Sequence, residues 1–206
     1  MRSVYGRPNS QHTQKVLWAC AELALDFQFV HTGRVSTGEL DPEYRRLNPN
    51  GLVPTLVEDD FVLWESNTII RYLAGRYGGS LFMPDDLRAR ALGERWMDWQ
   101  ATTLNDAFRP VFRPLVEGPP EAREPAALRP AVAKLNDTIA VLDRHLVESP
   151  FVAGADFTVC DIPVGVHAYR FFKLDIERRP LPALEAWYRR LSEREPFRRH
   201  VMVDLF

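Results

Sequence analysis

The chain has 206 residues, and its 26 basic and 28 acidic side chains give a formal net charge of −2. This length allows one large domain or two small ones with a sizeable core, and the near-neutral charge argues against a nucleic-acid partner. The apolar runs are far shorter than a membrane-spanning helix, and no signal-peptide core follows the first residues. We therefore expect a cytoplasmic protein without a membrane partner.

Cysteine and histidine usage gives no sign of a metal site. Cys20 and Cys160 are too few for a disulfide framework, and neither belongs to a CxxC pair. Both lie among apolar residues on predicted helices, where inert core packing is the favoured role. The five histidines lack ligand spacing such as HExxH. We predict no bound metal.

The first half of the chain alternates short apolar strands with helical patterns. In chain order, the sequence predicts a strand at Val4-Tyr5, a helix from Ser10 to Leu25, a strand over residues 27–30, a short helix from Asp41-Pro42 toward Leu47, strands at Thr55 to Glu58 and Phe61 to Leu63, and a helix from Glu65 to Tyr77. This βαβαββα order is the one that a thioredoxin-like domain requires. We therefore place an α/β domain of this type at residues 1–78.

The second half of the chain shows helical patterning only. It follows a breaker-rich connection around residues 78–84. Long helices are predicted over residues 85–112 and 125–147, and shorter ones over 181–193 and 196–201. Thr158 and Asp161 have the spacing of a capping box at the start of another helix. We therefore place an all-helical bundle domain at residues 84–206.

The stretch from Asn48 to Ala74 has the features of a ligand-binding edge. Pro54 has no N–H and a fixed φ, so it interrupts sheet pairing and leaves the backbone of Val53 free to pair with an extended, peptide-like ligand. Ser66 stands at a predicted helix start, where open N–H groups and the helix dipole favour a carboxylate. Glu65 beside it suits an ammonium group. A ligand with a peptide backbone, a carboxylate and a free amine fits this pattern.

This segment resembles the glutathione-binding half of the cytosolic glutathione transferases. In that family, the residue before a cis-proline pairs with the cysteinyl part of glutathione, and a Glu/Gln-Ser pair at the start of the third helix binds the γ-glutamyl group. Val53-Pro54 and Glu65-Ser66 fall on these positions, with Leu52 beside them. The resemblance, to theta-like or bacterial members, covers essentially the whole chain and implies that glutathione is a co-substrate.

The chemistry implied by this resemblance is ionisation of the glutathione thiol, whose pKa of about 8.5 leaves only a few per cent thiolate at neutral pH. A hydrogen-bond donor to the sulfur must then lie between the first strand and the first helix. Ser10 precedes Val16 by the interval at which theta-like transferases place their serine, so Ser10 is the first candidate, and a helix cap is its alternative role. Asn9 is the second candidate. His12 is a candidate for the polar end of the ligand.

A second partial resemblance, to the fourth helix of theta-class enzymes, covers the helix that follows residue 84. It implies an apolar acceptor site between the domains. The residues expected to line this site are Trp99, Thr103, Phe108 and Phe112. The resemblance also implies a homodimer.

The predicted activity is conjugation of glutathione to small hydrophobic electrophiles, as in detoxification. A glutathione-dependent peroxidase or disulfide reductase of the same fold is an alternative, and a non-catalytic binding module is another. The turn before the first helix contains no cysteine, which argues against glutaredoxin-like exchange through a protein thiol.

Overall fold

The computed structural model describes residues 1–32 and 42–204. Contacts along the chain divide them into two units, the first containing residues 1–84 together with 194–204 and the second containing residues 85–193. The boundary predicted between residues 78 and 84 adjoins this division. The segment 194–204, which the sequence assigned to the helical domain, contacts the first unit instead. Asp41, where the short second helix was expected to open, lies outside the described residues.

The first unit contains a sheet of four described strands in the order β2-β1-β3-β4. Their bounds are β1 (Arg2–Gly6), β2 (Gln28–His31), β3 (Thr55–Glu58) and β4 (Phe61–Trp64). β1 pairs in parallel with β2 and antiparallel with β3, and β3 pairs antiparallel with β4. This is the mixed sheet of the predicted thioredoxin-like domain, which is confirmed.

One row of the sheet fixes where three connections emerge. Tyr5 is the partner of Thr55, and Thr55 is the partner of Trp64. Because neighbouring strands run antiparallel across this row, β1 ends, β3 begins and β4 ends at the same edge of the sheet. The turn after β1, the loop before β3 and the helix start after β4 therefore share that edge.

Helices of the first unit cover the sheet. They are α1 (Gln11–Glu22), α2 (Pro42–Leu47) and α3 (Ser66–Leu73), which continues into a π-helical turn at Ala74–Gly78, and the separate short helix α4 (Gly79–Phe82). α1 packs against α3, and the core between them and the sheet contains fully buried apolar side chains: Val4, Val16, Leu56, Ile69 and Ile70. Gly6 is needed where β1 meets α1, because a Cβ there would lie 2.5 Å from Thr13 Oγ1.

The regular elements of the second unit are helices in its described residues, apart from an isolated β-bridge between Phe151 and Gly154. It contains α5 (Leu87–Trp99), α6 (Asn105–Phe112), α7 (Pro125–Leu146), α8 (Asp161–Lys173) and α9 (Pro182–Ser192). A π-helical turn at Gln100–Leu104 links α5 to α6, and another at Arg113–Glu117 extends α6. Pro110 lies inside α6, which does not stop there. Within the described ranges, no helix has the length and apolar content needed to cross a bilayer.

The chain returns to the first unit in α10 (Glu195–His200). The Phe197 ring packs edge-on against Trp18 of α1, with 4.7 Å between ring centroids. Arg194 donates two hydrogen bonds of 2.7 and 2.6 Å to the Glu22 carboxylate, which also accepts from Trp18 Nε1. This ion pair and aromatic contact attach the segment to α1.

Asp161 organises the start of α8. Its side chain is fully buried and accepts hydrogen bonds from the backbone N–H groups of Val152 and Thr158 and from Trp187 Nε1. Half of the predicted capping box is therefore present, while the Thr158 hydroxyl accepts from the Cys160 N–H. Pro163 is harmless here because it lies in the first turn, where N–H groups have no intrahelical partner.

Asp161→Asn should lower the free energy of unfolding, because both carboxyl oxygens of Asp161 accept from N–H groups and the amide NH2 that replaces one of them cannot accept a hydrogen bond. Burial, opposed by these donors, raises the pKa of Asp161 from 3.8 to about 6. The carboxyl therefore contributes stability that is present below the unfolded pKa and is lost as the pH rises through the folded pKa.

Denaturant unfolding at several pH values tests this linkage. The stability advantage of the wild type over the non-titrating asparagine variant should be larger near pH 4 than near pH 7, by about 2 kcal/mol. A difference that stays constant across this range would contradict it.

Candidate active site

The loop before Pro54 is held from inside the first unit. Tyr44 of α2 donates a hydrogen bond of 2.7 Å to the Leu52 carbonyl, and Asn48 Nδ2 donates another of 2.7 Å. The Tyr44 oxygen also lies 2.8 Å from Thr55 Oγ1 at the start of β3. Burial raises the pKa of Tyr44, which keeps its hydroxyl protonated at neutral pH. Two buried side chains therefore fix a loop whose Leu52 side chain is exposed.

Val53 follows this anchor with open backbone groups. The Val53-Pro54 peptide bond is cis, as the family resemblance implied. Gly51, with φ of 64°, turns the chain before it, and its N–H donates to the Asn48 carbonyl. Among the described residues, neither the N–H nor the C=O of Val53 has a backbone hydrogen-bond partner. An extended ligand can pair with both groups.

The connection from β4 to α3 places an exposed carboxylate beside a helix start. Glu65 has φ of 71° and ψ of 108°, a conformation that costs a non-glycine residue about 1–3 kcal/mol. Its side chain makes no capping bond to the helix. Ser66 is the first residue of α3 and is buried, and the first N–H groups of a helix have no intrahelical partner. This corner therefore presents N–H donors, a hydroxyl and a carboxylate together.

Ser10 is the N-cap of α1, which is the alternative role that the sequence offered for it. Its Oγ accepts from the Thr13 N–H at 3.5 Å, which is at the long limit for a hydrogen bond. The described residues provide no acceptor for the Ser10 hydroxyl hydrogen. Capping uses a lone pair, so the same hydroxyl can still donate to a ligand. Asn9 lies in the exposed turn just before it.

α1 also contacts the start of α3 through polar side chains. His12 Nδ1 lies 3.5 Å from Ser66 Oγ, and Lys15 Nζ donates a hydrogen bond of 3.0 Å to Asn67 Oδ1. Lys15 has only 1% of its surface exposed. The His12–Ser66 contact brings together two residues that the sequence had assigned to glutathione.

Four supporting residues were not predicted from the sequence: Lys15, Tyr44, Asn48 and Asn67. The Asn-Pro-Asn-Gly run offered a signal for Asn48, because asparagine side chains hydrogen-bond the backbone in turns. Nothing local marked Tyr44 or Lys15, whose burial depends on elements distant in the chain.

The residues expected at the acceptor site all belong to the second unit. Phe108 is 1% exposed, and its ring lies 5.1 Å from Phe112 and 5.2 Å from His167. Its ring is therefore part of the helical core. Trp99 packs edge-on against Trp96, and the Thr103 side chain is exposed.

A separate cavity of about 500 Å³ opens at the opposite edge of the sheet, beside Arg2 and Glu58. Burial acts to raise the pKa of Glu58, but hydrogen bonds from Tyr72, Tyr77 and Arg2 outweigh it and lower that pKa. These groups bind one another. In residues 1–32 and 42–204, no three His, Cys, Asp or Glu side chains are arranged to hold a metal.

Comparison with known proteins identifies the family of the chain. The family model for the glutathione S-transferase N-terminal domain matches residues 4–81, and the one for the C-terminal domain matches residues 125–190. The chain is 38% identical to glutathione S-transferase GstB of Escherichia coli over 207 residues, covering 100% of both chains. The chain belongs to the glutathione S-transferase family.

Other members of the glutathione S-transferase family show the same similarity. The theta class glutathione S-transferase of the citrus canker pathogen Xanthomonas axonopodis pv. citri, in a crystal structure with glutathione bound, superposes with a TM-score of 0.93 at 40% identity. That match covers 100% of this chain and 99% of the other. Glutathione S-transferase 3 of Zea mays is 29% identical over 212 residues, covering 96% of this chain and 92% of the maize protein.

The strain at Glu65 can be tested by paired substitutions. Glu65→Gly and Glu65→Ala both remove the carboxylate, but only glycine adopts a positive φ without steric cost. Glycine relieves the backbone strain but loses more conformational entropy on folding than alanine does. The net effect should be a free energy of unfolding that is higher for the glycine variant by about 1 kcal/mol. Urea denaturation measures the free energy of unfolding of both variants. An alanine variant of equal or greater stability would show that the backbone at this position is not strained.

Proposed function

We propose that this glutathione transferase binds glutathione along the Val53 edge and activates its thiol through Ser10. The observation that carries the proposal is the row from Tyr5 through Thr55 to Trp64, which brings three loops to one edge of the sheet. Each loop presents a group with a role toward the same tripeptide. The family membership supports glutathione as the co-substrate.

The two ends of glutathione are bound by different chemistry. The cysteinyl backbone pairs with the N–H and C=O of Val53, by addition of a short strand. The γ-glutamyl carboxylate accepts from the Ser66 N–H and hydroxyl at the positive end of α3. Glu65 receives the γ-glutamyl ammonium, and His12 lies beside Ser66 at 3.5 Å. Leu52 covers the ligand with its exposed side chain.

Ser10 stabilises the thiolate by donating its hydroxyl hydrogen to sulfur. A pKa lowered by about 1.5 corresponds to roughly 2 kcal/mol, which one or two charge-assisted hydrogen bonds can supply. Asn9 is the second candidate for this donor. Neither cysteine of the protein is suited to act as a reactive thiolate. Burial raises the pKa of Cys20 to about 12, and Cys160 is also buried.

The thiolate then attacks an electrophilic carbon of a small hydrophobic acceptor. A sulfur–carbon bond forms, and the leaving group departs with the electron pair of the broken bond. The thiol proton is released to solvent when the thiolate forms. Trp99, Thr103 and Phe112 are proposed to contact the acceptor, with Phe108 packed behind Phe112. Positioning and ionisation supply most of the rate enhancement.

The family resemblance further supports a homodimer that acts in the cytoplasm in detoxification. A peroxidase or disulfide reductase would use the same bound thiolate and would recruit a second glutathione in place of a protein cysteine. The two activities therefore differ in the acceptor, not in the glutathione site.

Ser10→Ala should raise the pKa of the bound thiol and reduce conjugation by at least about tenfold, since it removes the donor to the developing thiolate. The dissociation constant of glutathione should change little, because the ligand is bound mainly at its two ends. Thiolate absorbance against pH and steady-state rates measure both quantities. Unchanged conjugation would transfer the role to Asn9.

Side-by-side assays with chloroaryl acceptors, hydroperoxides and disulfides assign the reaction. We expect conjugation to give the highest kcat/KM, because the site holds one thiolate and no reactive protein cysteine. Greater efficiency with hydroperoxides or disulfides would replace conjugation by the peroxidase or reductase activity. Failure of the protein to bind immobilised glutathione would contradict both activities.

A further inference from the structure

Lys15 is a buried ammonium group close to the proposed γ-glutamyl site. It has 1% of its surface exposed, and its Nζ donates to Asn67 Oδ1 at 3.0 Å. Removing an ammonium group from water costs several kcal/mol before its new contacts compensate. A methionine or leucine would fill the same space between α1 and α3 without that cost. Lys15 therefore brings a buried charge to the contact between α1 and α3.

The bond partner of Lys15 places its charge at the start of α3. Asn67 directly follows Ser66, and both are among the first residues of that helix. His12 lies one turn before Lys15 on α1 and contacts the Ser66 hydroxyl. The first turn of α3 is thus held against α1 at two successive residues.

The positive charge of Lys15 is unfavourable at the start of α3 when no ligand is bound there. The N-terminus of a helix carries a partial positive charge, so acidic groups stabilise it and a cation nearby opposes it. The same cation becomes favourable when an anion occupies the N-terminus. Because Lys15 and Asn67 are shielded from water, solvent and salt screen this interaction less than they would at the surface.

We propose that Lys15 is a positioning residue for the γ-glutamyl carboxylate of glutathione. Through Asn67 it fixes the orientation of the first turn of α3, and its charge adds to the positive potential that the carboxylate meets at Ser66. This inference rests on the proposed glutathione site. Lys15 does not touch the reacting sulfur, so it acts on binding and not on the chemical step.

Lys15→Met keeps the length of the side chain and removes the charge. It should raise the dissociation constant and KM for glutathione about tenfold, the scale of one charge-assisted interaction, and leave kcat nearly unchanged. Lys15→Arg should recover part of the affinity. Lys134→Met, at an exposed position on α7, is the matched control and should leave the dissociation constant, KM and kcat unchanged.

A modified ligand separates this role from simple structural support. Calorimetry should compare glutathione with an analogue in which the γ-glutamyl α-carboxylate is a primary amide. The wild type should prefer the acid, and Lys15→Met should reduce that preference about tenfold, because only the acid interacts with the lysine charge. An equal preference in both proteins would overturn the inference. A wild type that binds no glutathione would overturn the proposed function and this inference with it.

Asn67→Asp provides a test that retains the lysine. The new carboxylate can accept the same hydrogen bond from Lys15 and adds a negative charge that opposes the lysine charge, so folding should be preserved while glutathione affinity and the preference for the acid both fall. Thermal unfolding checks that the variant folds, and calorimetry measures its glutathione affinity and its preference for the acid. A folded Asn67→Asp variant with wild-type affinity and preference would also overturn the inference.

Discussion

The register of β1, β3 and β4 is the constraint on which the candidate site depends. Tyr5, Thr55 and Trp64 form one row, so the three connections that carry the proposed ligand contacts emerge together. Val4 and Leu56, both fully buried, hold this register from the core. A slip of one residue would turn every side chain of a strand to the opposite face of the sheet. The geometry of binding is thus set by apolar packing beneath it.

Above this core, the candidate site combines fixed polar supports with groups that are proposed to contact the ligand. Tyr44 and Asn48 hold the Leu52 carbonyl, and α1 holds the first turn of α3. Polar networks buried in this way are rigid when every member has a partner. The Val53 backbone has no backbone hydrogen-bond partner among the described residues, the Glu65 side chain makes no capping bond, and both are proposed to contact the ligand. Because the supports already hold the loop and the helix start in place, less conformational entropy is lost when a ligand binds.

The sequence predicted the candidate ligand contacts because their chemistry is local. Proline lacks an N–H wherever it stands, and a serine before an amphipathic helix is a natural cap, so Pro54 and Ser10 were recognisable. The burial of Lys15 was not, because it depends on how α1 meets α3. The helical pattern of α10 likewise did not reveal its packing partner in the first unit. Phe108 was predicted to line the acceptor site, and its ring is buried in the helical core.

A crystal structure of the protein with bound glutathione tests the central claim most directly. The account predicts that the cysteinyl backbone pairs with Val53, that the γ-glutamyl carboxylate lies at Ser66, and that the sulfur lies within about 3.5 Å of Ser10 Oγ. Glutathione bound elsewhere, with the Val53 backbone unpaired and no ligand at the start of α3, would contradict it.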